Sequence, residues 1–381
     1  MKVKKVKKIR QASNKSPNRV GHSILQLIRV FIGALFVFSG FVKAVDPLGT
    51  TYKIQDYLIA FDGIFIQLLF LAYPLALLLI LAELLIGFNL LFKIKLKIST
   101  WAAFILMVFM TALTLYIAIY NPVEDCGCFG DAIKISNWNT FYKDVLLLVL
   151  IVVLLLYIKQ FRQVFRRPAE WLLLLLLALL SVGFMLYNLT YLPIIDFRPY
   201  KVGVNIPEAM AIPDDAAMDL YEYTFFYEKD GKVEAYPIDN LPDSTWQFLS
   251  QESKLIEQGY QPTIYDFEIV TLDYDDVTDE LLANKGVSYW IISYDLESVS
   301  EKAMQTIQAF VQNTQNPAVN ICVLTASSSE IIDNINAKYA LNIPFYKVDP
   351  ITLKTMIRAN PGVMMIENGT IQAKWNWRTL K

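Results

Sequence analysis

Two cysteines one residue apart, Cys126 and Cys128, lie in the run Asp125-Cys126-Gly127-Cys128-Phe129-Gly130-Asp131. Thiols at this spacing can close a small disulfide ring, which is strained because a disulfide needs a particular separation and direction of its two Cβ atoms. A strained disulfide is easier to reduce, so the pair suits dithiol/disulfide exchange with another protein. Gly127 eases the tight turn and Gly130 lets the chain bend back. Two other uses of the residues stay open: a structural staple or inert pair, and a soft-metal site to which Asp125 or Asp131 adds oxygen. Two thiolates alone make an incomplete zinc site. The flanking Glu124, Asp125 and Asp131 work against catalysis, since negative charge lowers the thiolate fraction. Along the sequence no basic residue is nearer than Lys134.

The elements that must position this loop are apolar. The chain of 381 residues has a net charge of −2 and is 55% hydrophobic, too apolar for an ordinary soluble protein of that length. Crossing the hydrocarbon core takes roughly 20 mainly apolar residues. Five segments meet this: 23–45, 64–92, 99–120, 144–159 and 171–191. The remaining residues, about 190 of them, have soluble composition and suffice for one domain with its own core.

Residues 1–20 are basic, with Lys2, Lys4, Lys5, Lys7, Lys8, Arg10, Lys15 and Arg19. The apolar segment that follows is too long for a signal-peptide core and lacks a small-residue cleavage site, so it is expected to stay as an uncleaved helix. Lys93, Lys95 and Lys97 follow span two, and Lys159, Arg162, Arg166 and Arg167 follow span four. By the positive-inside rule these sets face the cytoplasm with the N-terminus. The 46–63 loop, the 121–143 loop and everything after residue 191 then face outward. In a bacterium that is the oxidising periplasmic side of the inner membrane. His22, the single histidine, falls on the side opposite the cysteines.

Glu83 is an acid inside span two, where function is the default hypothesis. Counting depth at about 1.5 Å per residue places it level with Arg29, which predicts an Arg29–Glu83 ion pair or ligand site. Lys43 is expected to snorkel to the outer interface. Gly33, Ala34, Ser39 and Gly40 are small enough for close helix approach, and Pro74 is expected to kink span two.

Arg29-(x13)-Lys43 enclosing Ser39-Gly40, followed by Glu83-(x3)-Gly87, resembles the DoxX family of bacterial four-helix membrane proteins. The Cys-Gly-Cys-Phe-Gly loop between spans three and four is similar to its MauE branch. Members of that branch are implicated in maturing a disulfide-rich periplasmic dehydrogenase subunit. The stretch from Phe41 to Lys53 resembles a Bacteroidetes branch with an added C-terminal extramembrane domain. A quinone-linked relay would need a second cysteine pair, which the membrane half lacks.

Beyond the spans, strands and helices alternate, which implies an α/β sheet. Strands are expected at 221–227, 232–238, 266–272, 287–293, 319–325, 345–348, 363–366 and 370–375. Helices are expected at 243–258, 277–283, 297–312, 328–340 and 353–359. The order of these elements, with Asn360-Pro361-Gly362 before the last hairpin, resembles a thioredoxin-like domain, in which a proline, usually cis, faces the active site. The resemblance implies Cys-x-x-Cys after residue 293, but the chain reads Ser293-Tyr294-Asp295-Leu296-Glu297-Ser298. The domain is therefore expected to be inactive as an oxidoreductase. Extended chain could still pair beside Asn360 and Pro361. Cys322 reads as a small buried hydrophobe.

The expected organisation is a basic N-terminus (1–20), a DoxX/MauE-like four-helix membrane domain (21–160), a cytoplasmic link and fifth span (161–191), a linker (192–220) and a thioredoxin-like periplasmic domain (221–381). Three functions remain open. Cys126 and Cys128 could act as a partner-dependent thiol/disulfide oxidoreductase on an envelope protein carrying thiols or disulfides. The chain could instead be a non-enzymatic membrane scaffold with a stapled loop. Or the bundle could bind a quinone or lipid-like ligand at Arg29 and Glu83. Besides membrane lipid, no nucleic-acid partner is expected, because the basic N-terminus is accounted for by topology and anionic lipid.

Overall fold

The computed structural model describes residues 19–380 except 124, 163, 258 and 315–318. Residues 1–18 of the basic N-terminus and Glu124 therefore lie outside the described residues. Two compact units divide the chain, Met1–Phe197 and Arg198–Lys381.

Among the described residues, six α-helices build the first unit: α1 (Arg19–Val45), α2 (Pro47–Ala60), α3 (Ala72–Phe92), α4 (Leu96–Tyr120), α5 (Asn137–Leu156) and α6 (Arg167–Thr190). Among the described residues, five segments are long and apolar enough to span a membrane: α1 from Gly21, Gly63–Phe92, α4, α5 and α6. Span two is not helical in one style throughout. Gly63–Leu71 is a 3₁₀ helix, and the α-helix begins only at Ala72. The 46–63 segment, expected as a loop, is mostly the helix α2. Asp46 caps it by accepting from Gly49 N at 2.9 Å, and Pro47 occupies its first turn, a start signal of Asp followed by Pro.

Close approach fixes how α1 and α3 pack. A Cβ on Gly87 would lie 2.7 Å from Val37 N, and one on Gly40 would lie 3.0 Å from Leu84 N. Small residues thus set an antiparallel register with residue 37 against 87 and 40 against 84. Ile32, Phe36, Ile86, Leu90, Met107, Leu147 and Ile151 form the core that joins these helices to α4 and α5. Polar contacts fasten α6 near both ends. Glu170 meets Lys95 at 3.1 Å, and Asn188 Nδ2 donates to Ala44 O at 3.1 Å.

The second unit starts with α7 (Ile206–Met210) and a three-stranded antiparallel sheet in the order β2-β1-β3. The strands are β1 (Leu220–Lys229), β2 (Lys232–Pro237) and β3 (Gln247–Glu257). Asp230 and Gly231, both at positive φ, turn the β1–β2 hairpin as its Asp-Gly sequence demands. The helix expected over 243–258 is instead β3. Its backbone pairs with the free edge of β1, and Phe248 meets Tyr227 edge-on at 5.7 Å. Cross-strand pairing here overrides helix propensity.

Next come α8 (Thr278–Leu282), β4 (Val287–Ser293), α9 (Glu301–Asn313), β5 (Val319–Thr325), α10 (Ser329–Tyr339), β6 (Phe345–Lys347), α11 (Pro350–Met356), β7 (Gly362–Glu367) and β8 (Thr370–Asn376). They form a five-stranded sheet ordered β6-β5-β4-β7-β8. β4 is parallel to β5 and antiparallel to β7. Ile291, Val323 and Val363 on one face pack with Met304, Ile307, Val311 and Ile332 of α9 and α10. The strand expected at 266–272 contracts to a bridge of Val270 with Lys347. Asp266 lies at φ 53°, and the chain turns at Thr271–Tyr274, so the run cannot stay extended.

Candidate functional site

Three helices and their side chains hold the cysteine loop. From α2, the Tyr57 hydroxyl donates to the carbonyl of Cys126, and Lys53 pairs with Asp125 at 3.3 Å. From α1, Lys43 Nζ donates to the carbonyl of Cys128 at 2.7 Å. At the start of α5, Asn137 Nδ2 donates to Asn121 Oδ1 and Val123 O, at 2.7 and 3.0 Å, which fixes the entry of the loop. Inside it, Asp125 Oδ1 accepts from Gly127 N at 2.7 Å. Gly127 sits at φ +64°, and any Cβ there would meet the Lys53 stem at 2.7 Å. Both the conformation and the space call for glycine.

The two sulfurs are 2.7 Å apart and unbonded. Cys126 is buried and Cys128 partly so. Hydrogen bonding between the two thiols holds Cys126 below its ordinary pKa and, with burial, pushes Cys128 well above. The pair therefore ionises unequally, Cys126 first. Of the acidic flanks, Asp125 is paired with Lys53; the fold also brings up Asp144 and Lys143, which act on the Cys126 thiol in opposite directions, Asp144 raising its pKa more than Lys143 lowers it. Lys143 Nζ lies 5.1 Å from the Phe129 ring centre. It bonds Asp144 Oδ1 at 2.6 Å, while Thr114 Oγ1 donates to Asp144 Oδ2 at 3.2 Å. Beside Cys128 is a cavity of about 40 Å³ lined by Ser39, Lys43, Glu83, Lys143 and Asp144 among others.

The expected Arg29–Glu83 pair is not formed. Glu83 pairs with Lys43 at 2.8 Å, both side chains almost fully buried. Arg29 instead donates to the carbonyls of Leu90 and Leu91 near the end of α3. Depth counted from residue 64 misplaces Glu83, because the glycine-set register brings Gly40 level with Leu84 and so lowers Lys43 onto Glu83. A ligand site built jointly from Arg29 and Glu83 is thus not assembled. The ammonium of Lys43 has three N–H groups. They meet Glu83 at 2.8 Å, Ser39 Oγ at 2.6 Å and Cys128 O at 2.7 Å. The single proton of Ser39 can then go to Glu83 Oε2, 2.9 Å away.

Tyr57, Lys53, Ser39, Lys143, Asp144 and Thr114 were not singled out as site residues from the sequence. Asp144 did carry a signal, an acid inside an apolar segment. The others depend on packing. Among the described residues no group of three or more His, Cys, Asp or Glu side chains is placed to hold a metal ion.

In the second unit Asn360-Pro361 is cis, and Pro361 directly precedes β7. The side chain of Asn360 is used within the domain. Its Nδ2 donates to Asp295 O at 2.6 Å and to Ser298 Oγ at 3.0 Å, and its Oδ1 accepts from Ser293 Oγ at 2.7 Å. The amide thus ties together the segment where the thioredoxin pattern would place cysteines. Cys322 is buried in β5, which pushes its pKa up to about 12.

The protein is a multi-pass membrane protein whose helical unit carries a clamped dithiol loop and whose chain continues into a thioredoxin-like α/β domain, with strand order and cis proline in the expected places. Residues 21–157 match the family described as Methylamine utilisation protein MauE. Residues 221–258, which contain the three-stranded sheet, match a domain of unknown function, DUF8463. No curated protein sequence matches the chain. Among solved structures the chain is similar to a peroxiredoxin-like protein from Aquifex aeolicus, at 12% identity, over 28% of this chain and 69% of that one, with a TM-score of 0.23. The thioredoxin-like assignment stands on strand order and connectivity, not on that likeness.

Proposed function

We propose that the protein supports thiol/disulfide exchange with an envelope partner through Cys126 and Cys128. The observation that carries this reading is the sulfur pair, 2.7 Å apart, on a loop whose two cysteine carbonyls are held by Tyr57 and Lys43. Such clamping keeps the sulfurs near bonding distance in the reduced form, so oxidation requires little rearrangement. Unequal ionisation supports it too, since exchange needs one thiolate to attack and one thiol to follow. In this reading the basic N-terminus is cytoplasmic. The loop after span three and the unit after span five then share the periplasmic side of an inner membrane. The second unit is a protein-docking module without dithiol chemistry. Docking there would use the backbone beside Pro361, because the Asn360 amide is already engaged.

The test is trapping in intact cells. Cys128→Ser should accumulate a mixed disulfide through Cys126 with an envelope protein, and the wild-type pair should cycle under mild reductant. No adduct from either single-cysteine variant, together with a wild-type pair that resists mild reductant, would instead establish a structural staple.

A further inference from the structure

Two lysine–carboxylate pairs flank the cavity beside Cys128, and they differ in saturation. Lys43 has all three N–H groups engaged, by Glu83, Ser39 and the Cys128 carbonyl. Lys143 has its described hydrogen bond with Asp144 and otherwise faces the Phe129 ring, so it keeps donors to spare. Asp144 is 1% exposed and shares the cavity wall with Cys128 and Lys143. The volume, about 40 Å³, suits one or two water molecules bounded by several polar groups.

We propose that Lys143 and Asp144 are the proton-handling pair for Cys128, with the carboxylate taking the thiol proton through water in this cavity while the ammonium turns to the thiolate. The inference rests on the exchange reading above and supplies its proton path. The Cys126 thiolate attacks a partner disulfide, forming a mixed disulfide and releasing one partner thiolate. Cys128 gives its proton to Asp144, attacks the Cys126 sulfur and releases the second partner thiolate. The new Cys126–Cys128 bond completes oxidation of this pair and reduction of the partner. The two partner thiolates take up the proton from Asp144 and the one Cys126 gave to solvent. Lys143 stays cationic throughout, so charge in the cavity is conserved as thiol and carboxylate become thiolate and acid. Other charged or titratable groups near the loop are Lys43 from α1, Glu83 from α3, Tyr57 and Lys53 from α2, and Asp125 within the loop. Lys43 is held by Glu83 and Lys53 by Asp125, which leaves Lys143 as the cation able to turn.

The test uses full-length protein in detergent with Cys126→Ser, reading alkylation of Cys128 by iodoacetamide against pH, site by site by mass spectrometry. Lys143→Gln should move the midpoint up by about one pH unit, which is about tenfold slower labelling at neutral pH. Lys143→Arg should keep the midpoint. Asp144→Asn should move it down, because the freed ammonium then serves the thiolate alone. Midpoints that stay put in both Lys143→Gln and Asp144→Asn, or that move the same way, overturn the proposal. If Lys143→Gln gives no folded protein, the Asp144→Asn arm decides, and no downward shift overturns it. Alkylation needs no physiological partner. Opposite shifts without a trapped adduct in cells would therefore reject exchange and keep the proton pair, whereas an adduct without shifts would reject the proton pair alone.

Discussion

Lys43 and Glu83 form a buried ion pair at 2.8 Å whose ammonium also holds the carbonyl of Cys128. One side chain thus joins α1, α3 and the cysteine loop. Removing either partner leaves an uncompensated buried charge, which costs about 3–5 kcal/mol. Lys43→Met and Glu83→Gln should each lower thermal stability in detergent, and the double variant should lose less than the sum. Arg29→Gln should add independently to Glu83→Gln, since Arg29 bonds Leu90 and Leu91. Strong Arg29–Glu83 coupling in a double-mutant cycle would contradict the pairing described above.

The hydroxyl of Tyr57 is a separate clamp, on the carbonyl of Cys126. Tyr57→Phe should cost about 1 kcal/mol and move the alkylation midpoint of Cys126 up in a Cys128→Ala background, because hydrogen bonding from Tyr57 lowers that thiol's pKa. An unchanged midpoint would mean that the hydroxyl does not act on Cys126.

Helix contact at Gly87 should be intolerant of even one methyl. A Cβ there would meet Val37 N at 2.7 Å, so Gly87→Ala must push α1 and α3 apart. The expected loss is about 1–3 kcal/mol, together with easier labelling of Cys128 as the Lys43 contact loosens. Gly183 serves as the control, because a Cβ there would meet nothing within 4 Å outside its own stretch of helix. Gly183→Ala should be nearly silent.

The cysteine pair has a signed pH dependence. Between the lowered midpoint of Cys126 and the ordinary thiol value of 9.0, the unfolded chain binds more protons, so the contribution of Cys126 to stability grows with pH and is lost on acidification through that midpoint. Above 9.0 the folded state retains the proton on Cys128, and that contribution falls as pH rises. Replacing Cys128 with Ala removes the hydrogen bonding between the thiols, so the alkylation midpoint of Cys126 should move up. A midpoint that stays low would assign the effect to other groups.

Cys322 should behave in the opposite way from a reactive thiol. Burial raises it from 9.0 to about 12, so its stabilising contribution is complete below 9.0 and is lost as pH rises through the folded value. Native protein should leave Cys322 unlabelled by iodoacetamide at neutral pH, with labelling on addition of denaturant. Fast labelling of native protein would show that the β5 environment opens.

Much of the fold was legible because it follows local rules. The spans announce themselves through apolar length, the β1–β2 hairpin through Asp230-Gly231, and the strands β4 and β5 through continuous apolar runs. Misreadings arose where a distant partner decides. Residues 247–257 have helix-compatible composition, but β1 offers an unpaired edge and aromatic contacts. Residues 266–272 have strand composition, but Asp266 and the turn that follows break the run.

The sequence by itself determined a membrane-spanning half, a loop with two nearby thiols and an α/β domain without a dithiol motif, because hydropathy, residue identity and short-range pattern are properties of the chain. Only the tertiary structure decided which charges meet. Glu83 pairs with Lys43 and not Arg29 because glycines at 40 and 87 let α1 and α3 approach at one register. Asp125 in the loop is likewise paired with Lys53, 72 residues before it in the chain. Electrostatic partners are chosen by distance in space, and helix packing sets that distance.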